Sequence, residues 1–177
     1  MALRLLDLDA ETRRYMLDEV EFDAARGTLY ISSRLNGAGR IRWLELLREA
    51  VEKHDDVWLA GRVVAERLLN AYEERRTKNG TTTAKIPVNA HETLAEGEFN
   101  RFYLRGISRR AIAEGLAGLE IYRAKAVERP RSESQIMIGK ICDPAKLLSE
   151  IRTHPGIDTA LGLPPGPNSG LSAKIKR

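Results

Sequence analysis

The chain has 177 residues with 42% hydrophobic residues, 31% charged residues and a net charge of +4, which fits one packed domain with an ordinary polar surface. It contains no run of about 18 apolar residues and no apolar leader segment, so we expect neither a membrane-spanning helix nor a signal peptide. Its one cysteine, Cys142, excludes an internal disulfide and a multi-cysteine zinc site, and the reducing cytoplasm is the expected location.

The N-terminal segment predicts a helix followed by a short strand. Asp9 is a typical N-cap residue, the apolar residues after it repeat at helical spacing, and Gly27 is a typical helix end. Residues 28–32 are rich in β-forming side chains and predict a strand.

Two further helices are predicted before residue 75. Apolar residues repeat at helical spacing over 40–54 and again over 57–74. Asp55 or Asp56 is the predicted N-cap of the second of these helices. The N-terminal part of the chain is therefore expected to be mostly helical.

A hairpin is predicted where the composition changes at Arg75. The dipeptide Asn79-Gly80 favours a type I′ turn between two β-compatible flanks. A two-residue turn at these positions predicts two cross-strand pairs, Lys78 with Thr81 and Glu74 with Lys85.

A long helix with one aromatic face is predicted next. Thr93 and Glu96 match a capping box, which places the start of the helix at Leu94, and Gly115 marks its end. At about 100° per residue, one side of the helix collects the side chains that we expect to face the core: Ala95, Phe99, Phe102, Tyr103 and Gly106.

The same helix carries a row of arginines on another side. Arg101, Arg105 and Arg109 follow one another at four-residue spacing, and Arg105 and Arg109 have no acidic partner within the row. One hypothesis is that these guanidinium groups contact phosphates, which suit the planar arginine fork. Two alternatives remain open: a solvated face, or ion pairs with the acidic residues of the first helix, Asp18, Glu19, Glu21 and Asp23.

Further basic residues follow in the C-terminal half. Arg123 and Lys125 share one side of a predicted strand, and Arg129 and Arg131 flank a proline in the loop after it. The chain beyond residue 60 carries 20 basic and 13 acidic residues, whereas the part before it carries 9 basic and 12 acidic residues. This asymmetry favours a polyanionic partner, although two oppositely charged halves that face each other in one fold would produce it too.

The C-terminal third is predicted to contain short elements. Residues 135–141 predict a short strand, and Asp143 with Pro144 predicts the start of a helix. Residues 162–177 are rich in proline and glycine and end in basic residues, so we expect an irregular tail.

No motif for catalysis or metal binding stands out. Glu96 and Glu98 have the spacing of some paired carboxylates, but on a helix their side chains diverge by about 200°. Glu120 and Lys125 are too far apart, and on opposite faces of a strand, for the Mg²⁺-binding pattern of a nuclease core. We therefore expect no metal and no cofactor, and we rank a metal-dependent nuclease behind the binding functions.

These patterns predict a single α+β domain over residues 1–161, followed by the tail. A helical half, 1–74, packs on a small, mainly antiparallel sheet with one or two further helices from the mixed half, 75–161. The leading interpretation is a non-enzymatic protein that binds nucleic acid through a basic surface on its C-terminal half. The alternative is an assembly subunit, such as a viral structural protein or a component of a multi-protein complex, that forms oligomers through the hairpin and the tail. The residues predicted to contact nucleic acid are Arg101, Arg105, Arg109, Arg123, Lys125, Arg129 and Arg131.

Overall fold

The structure, a computed structural model, describes residues 2–78, 80–164 and 169–176. The elements within these residues are, in chain order, α1 Ala10–Arg26, α2 Gly37–Lys53, α3 Asp56–Ala65, β1 Tyr72–Thr77, β2 Gly80–Lys85, α4 Ala90–Ala113, β3 Leu119–Arg123, α5 Ser132–Met137, β4 Ile141–Cys142, α6 Pro144–Thr153, α7 Ile157–Ala160 and β5 Leu171–Ile175. This order confirms the predicted α+β fold, in which a helical N-terminal half is combined with small antiparallel sheets.

Helix α4 lies at the centre of the molecule. Helices α1 and α3 pack along it from the N-terminal half, and α6 packs on it from the C-terminal half. Its aromatic residues Phe99, Phe102 and Tyr103 are fully buried, and Ala95 and Gly106 are buried beside them, which confirms the predicted core face. The same packing brings the acidic side chains of α1 against the arginines of α4.

The contact between α1 and α4 is closest at Gly106. A Cβ atom added there would lie 2.6 Å from the Cγ atom of Met16 and 3.1 Å from the carbonyl oxygen of Thr12. Gly97 lies on the same helix, and a Cβ atom added there would meet no atom within 4 Å. The missing side chain of Gly106 is therefore what permits the two helices to approach so closely.

Alanine substitutions at these two glycines should have opposite effects. Gly97→Ala should stabilise the protein by up to about 1 kcal/mol, because alanine favours a helix more than glycine does. Gly106→Ala should destabilise it by about 1–2 kcal/mol, because overpacking against α1 outweighs that gain. Urea unfolding of both variants measures the difference, and equal stabilities would contradict the close contact.

A three-stranded antiparallel sheet, in the order β4-β3-β5, completes the core. Strand β5 pairs with β3 along its full length, with Ala173 opposite Ile121. Leu171 and Ala173 are fully buried, and the Asn100 Nδ2 atom of α4 donates to the carbonyl oxygen of Leu171 at 2.9 Å. The C-terminal strand is thus fixed by both the sheet and the central helix.

The prediction of an irregular C-terminal tail is wrong for residues 171–175, which form β5. Every second residue of this segment is apolar, which is the pattern of a strand with one face on a core. The proline-rich and glycine-rich stretch before it conceals the pattern, because such residues usually indicate irregular structure. Residues 165–168 and 177 of the predicted tail lie outside the described residues.

Strands β1 and β2 form a separate two-stranded hairpin, as predicted. The turn of the hairpin lies one residue nearer the N-terminus than predicted, so the strands pair in a different register. The observed pairs that replace the predicted ones are Thr77 with Gly80, Arg76 with Thr81, and Tyr72 with Lys85. Gly80 belongs to β2 and has a φ of 126°, and Asn79 lies outside the described residues.

Helix α3 is shorter than predicted, since it ends at Ala65 instead of continuing to residue 74. Arg67 has a φ of 54°, in the left-handed region, and the backbone N–H of Leu68 donates to the carbonyl oxygen of Val63. A left-handed residue after a helix is usually a glycine. Because an arginine takes this position here, the sequence carries no signal for the helix end.

Three other boundaries differ from the predictions. Residues 28–32 form no strand. Helix α4 begins at Ala90, and the Thr93 hydroxyl donates to the carbonyl oxygen of Asn89 instead of capping the helix. Residues 135–141 contain the end of α5 and the start of β4 in place of one strand. Short stretches of this kind are ambiguous because a few apolar residues fit either period.

Candidate nucleic-acid interface

Arg105, the middle residue of the arginine row, is fully buried between α4 and α1. Its Nε atom donates to Glu19 Oε2 at 2.8 Å, and its two terminal nitrogens donate to the carboxylate of Asp23 at 2.6 and 2.9 Å. The guanidinium group also lies over the ring of Phe102, 5.1 Å from its centre. A phosphate cannot reach this side chain without separating the two helices.

The other two arginines of the row also pair with carboxylates of this chain. Arg101 is buried and donates to Glu98 Oε2 at 2.7 Å. Arg109 lies at the rim, with 35% of its side chain exposed, and its NH1 atom is 3.6 Å from Asp18 and 3.4 Å from Glu19. Of the three arginines in the row, Arg101 and Arg105 are therefore buried, and Arg109 is partly exposed.

Glu19 of α1 joins these ion pairs to helix α6. Its carboxylate is fully buried and accepts hydrogen bonds from Arg105 and from Arg152, the latter at 2.5 and 3.0 Å. The residues that share this network are called the arginine–carboxylate cluster below: Arg101, Arg105, Arg109 and Arg152 with Glu19, Asp23 and Glu98.

The surroundings shift the pKa values of two carboxylates of the cluster in opposite directions. Burial by itself would raise the pKa of Glu19, but hydrogen bonds and charges from Arg152 and Arg105 outweigh it, so its pKa lies below the ordinary value. Burial raises the pKa of Glu98 above its ordinary value, because the charges of Arg101 and Arg105 offset only part of the lost hydration and Asp23 adds repulsion. Paired arginines thus keep Glu19 ionised inside the protein.

The hypothesis that the row contacts phosphates is wrong for Arg101 and Arg105, because both guanidinium groups are buried on internal carboxylates. The alternative of ion pairs with the first helix is confirmed for Asp18, Glu19 and Asp23. Glu21 points elsewhere and pairs with Arg48 of α2. The sequence did carry a signal for this pairing, since Glu19 and Asp23 repeat at the same four-residue spacing as the arginines.

Arg123 and Lys125 lie near β3 and bind groups of this chain. Arg123 donates to the carbonyl oxygen of Ser169 at 2.7 Å and to the Ser134 hydroxyl at 3.1 Å. Lys125 forms a short ion pair with the buried carboxylate of Glu96. Both side chains are half-buried, and their contact with nucleic acid stays a prediction.

Arg129 and Arg131 occupy the loop before α5. Arg131 pairs with Asp158 at 2.7 Å and donates to the carbonyl oxygen of Pro164 at 3.2 Å, so it connects this loop to the segment before β5. Arg129 is exposed and makes no hydrogen bond or ion pair with the described part of the chain. Of the seven predicted residues, Arg129 is thus the one most accessible to a ligand.

The β1–β2 hairpin carries the more accessible basic surface, which residue-by-residue prediction missed. Residues 75–85 contain four basic residues and no acidic residue. All four are exposed, and three of them form no ion pair with the described residues. We call this set the hairpin cations: Arg75, Arg76, Lys78 and Lys85. The available signal was the run of threonines and basic residues around the predicted turn, which sequence analysis assigned to an assembly arm.

The register of the hairpin divides its side chains between two faces. One face, called the inner face, contains Glu73, which accepts from Arg34 at 2.6 Å and from Arg75 at 2.8 Å and so ties the base of the hairpin to the body. The opposite face, called the outer face, consists of Tyr72, Glu74, Arg76, Thr81, Thr83 and Lys85. All six outer-face residues are exposed, so this face is open to a large ligand.

The carboxylates considered for catalysis are separated in the structure. Glu96 pairs with Lys125 and borders a cavity of about 400 Å³ next to Asp56. Glu98 pairs with Arg101 on another side of α4, and the third candidate, Glu120, pairs with Lys174. Their side chains therefore do not meet at one site.

The remaining candidates for reactive chemistry among the described residues are the thiol of Cys142 and clusters of metal-binding side chains. Burial raises the pKa of the Cys142 thiol to about 11, so it is not an activated nucleophile. Among residues 2–78, 80–164 and 169–176, no group of three or more His, Cys, Asp or Glu side chains is placed to hold a metal ion. The helices of this same part of the chain are all too short or too polar to cross a lipid bilayer.

Comparison with protein-family models, with curated proteins and with solved structures finds no match to this chain.

Proposed function

We propose that this protein is a non-enzymatic nucleic-acid-binding protein and that the β1–β2 hairpin is its main contact surface. The observation that carries the proposal is the group of four exposed hairpin cations, which outnumber the two carboxylates of the hairpin, Glu73 and Glu74. Nucleic-acid backbones bind such surfaces mainly through neutralisation of phosphates and release of counterions. The hairpin lies in the part of the chain beyond residue 60, which carries the excess of basic residues.

The shape of the hairpin supports the proposal. Each strand has six residues, which corresponds to a ribbon roughly 20 Å long. Threonine hydroxyls at three positions of β2 add groups that can donate to phosphate oxygens: Thr81, Thr82 and Thr83. The ribbon therefore presents both cations and hydroxyl groups along the distance that several phosphates occupy.

Removal of the hairpin cations should weaken binding to nucleic acids of every sequence. In the variant with Arg75, Arg76, Lys78 and Lys85 changed to Gln, we expect the slope of log K against log salt concentration to decrease by about three to four, since each phosphate contact contributes about 0.9 to the slope on B-DNA. Phosphate contacts carry no sequence information, so the affinity should fall for every sequence tested. Fluorescence anisotropy with a salt titration measures both quantities.

A matched control removes the same charge from the body of the protein. The control variant changes four exposed lysines outside the hairpin to Gln: Lys53, Lys140, Lys146 and Lys176. We expect this variant to keep most of the affinity and nearly all of the salt slope. Equal losses in the two variants would show that total charge and not the hairpin governs binding, and no binding by the native protein at low salt would disprove the proposal.

The second candidate function is assembly through the hairpin. Within the described residues, β1 and β2 pair only with each other, so the outer edge of each strand has unpaired backbone groups that another chain could extend. A two-stranded hairpin is also only marginally stable by itself in water. Light scattering during gel filtration tests this function, because a monomer at all concentrations would contradict it. Charged residues along the strands oppose such edge pairing, which is why we place nucleic-acid binding first.

A further inference from the structure

We propose that the hairpin enters the major groove of double-stranded DNA in the B form, with its outer face toward the base edges. This inference rests on the proposed function and names the class of nucleic acid. It follows from three properties of the hairpin: its width, its length and the distribution of side chains between its two faces.

The width of the ribbon distinguishes DNA from RNA. Two paired strands lie about 4.8 Å apart, and the B-DNA major groove, about 12 Å wide, admits a two-stranded ribbon with its side chains. The major groove of an A-form RNA duplex is too deep and narrow for protein side chains to read. A ribbon of this shape should therefore bind a DNA duplex better than an RNA duplex of the same charge.

The length of the ribbon matches part of one turn of DNA. Six residues per strand extend roughly 20 Å, and at about 3.4 Å per base pair this length covers about six base pairs. Lys78 lies at the tip and Lys85 at the base, beside Tyr72. Cations at both ends of the ribbon can therefore contact phosphates on either side of the groove while the middle faces the bases.

The attachment of the hairpin decides which face meets the bases. The inner face is tied to the body by the ion pair between Glu73 and Arg34, so it is turned toward the protein at its base. The outer face is free and places Arg76 directly opposite Thr81 near the tip. Arginine commonly donates to guanine O6 and N7, and the threonine methyl group suits the methyl group of thymine.

Glu74 is the acidic residue in the middle of the outer face, opposite Thr83. It is exposed and forms no ion pair with the described residues. A carboxylate at this position repels phosphates, but it can accept a hydrogen bond from the cytosine amino group. Its presence fits a face that meets base edges better than a face that lies on the sugar–phosphate backbone.

The experiment compares three labelled probes with the native full-length protein. The probes are a 16-base-pair DNA duplex, the RNA duplex of the same sequence and one single DNA strand, each measured by fluorescence anisotropy at a fixed salt concentration. We expect the DNA duplex to bind at least about ten-fold more tightly than the RNA duplex, because only its groove admits the ribbon. Methyl green, which occupies the major groove, should displace the protein, whereas netropsin, which occupies the minor groove, should not.

Three single variants assign the faces. Arg76→Gln on the outer face should reduce the ratio of DNA-duplex to RNA-duplex affinity by roughly five-fold or more, because it removes a base-edge contact. Arg75→Gln on the inner face should weaken binding to all probes by a similar factor, as a phosphate contact does. Glu74→Gln should strengthen binding to the RNA duplex and the single strand, and so lower the preference for the DNA duplex. Circular dichroism checks that each variant keeps its fold.

The possible failures are distinguishable. Absence of binding to all three probes would overturn the proposed function together with this inference. Binding that depends on the hairpin cations but shows equal or tighter affinity for RNA or for the single strand would overturn only the placement in the major groove. Displacement by netropsin and not by methyl green would overturn that placement too.

Discussion

Deletion of residues 162–177 should prevent the protein from folding. The deletion removes β5, whose residues Leu171 and Ala173 are fully buried against the central helix. It also exposes one edge of β3 and leaves the buried Asn100 side chain without its two partners, the carbonyl oxygen of Leu171 and the hydroxyl of Ser172. Burial of a single leucine or isoleucine side chain is worth about 1.5–3 kcal/mol, and a whole domain is stable by only about 5–15 kcal/mol. We therefore expect loss of the cooperative thermal transition in circular dichroism.

Two point substitutions in β5 separate this expectation from a general effect of shortening the chain. Ala173→Asp puts a carboxylate into the core between β3 and α4 and should destabilise the protein by at least about 3 kcal/mol. Lys174→Gln removes only the half-exposed ion pair with Glu120 and should cost less than about 1 kcal/mol. A truncated protein that melts cooperatively, near the temperature of the full-length chain, would show that β5 does not belong to the core.

The features that sequence analysis predicted correctly depend on local interactions. The side chain of Asp9 accepts from the backbone N–H of Thr12 at 3.0 Å, and Gly27 takes a left-handed φ of 65°, so both ends of α1 are set by their own residues. Asp143 caps α6 in the same way, by accepting from Lys146 at 2.7 Å. These signals need no knowledge of the remaining fold, because each cap is formed by residues that are close in sequence.

The features that sequence analysis missed depend on distant partners. β5 is a strand because β3 lies beside it, and nothing within the proline-rich segment before it indicates that pairing. The end of α3 depends on Arg67, a non-glycine residue in a left-handed conformation that its surroundings impose. The hairpin was predicted but its register was not, because one residue more or less in the turn satisfies the local preferences almost equally.

The candidate site shows the same limit. The sequence predicted the spacing of the arginine row and three of its acidic partners correctly, Asp18, Glu19 and Asp23, but it could not decide between ion pairs and phosphate contacts. That decision depends on which face of α1 meets α4, and the close approach at Gly106 settles it. Arg152, which also pairs with Glu19, was not predicted because it lies on a separate helix more than a hundred residues later.

Arg105→Met should destabilise the protein by about 3–5 kcal/mol, although methionine is similar in length and apolar. The substitution leaves Asp23 and Glu19 in the protein interior without the guanidinium group that now contacts both. Loss of one partner from a buried ion pair typically costs this much, because the remaining charge is uncompensated. Arg109→Met is the matched control on the same row. Its side chain is 35% exposed, so its loss should cost less than about 1 kcal/mol.

Substitution of the carboxylates together with Arg105 should restore part of the stability. The triple variant Glu19→Gln, Asp23→Asn, Arg105→Met removes Arg105 together with the two carboxylates that it contacts. Removal of a buried charge together with its partners is less costly than removal of one member.

The pH dependence should differ as well. The pKa of Glu19 lies below its ordinary value of 4.5, so in the native protein its ion pairs stabilise the fold above that pH and the contribution is lost as the pH falls through the lowered pKa. The deficit of Arg105→Met should therefore shrink as the pH falls below 4.5, the ordinary pKa of glutamate, because the native protein loses its ion pairs while the variant neutralises its unpaired carboxylates by protonation. Chemical unfolding at neutral and acidic pH measures this, and a deficit that is small at neutral pH, or that stays constant down to acidic pH, would contradict the assignment of Arg105 to the arginine–carboxylate cluster.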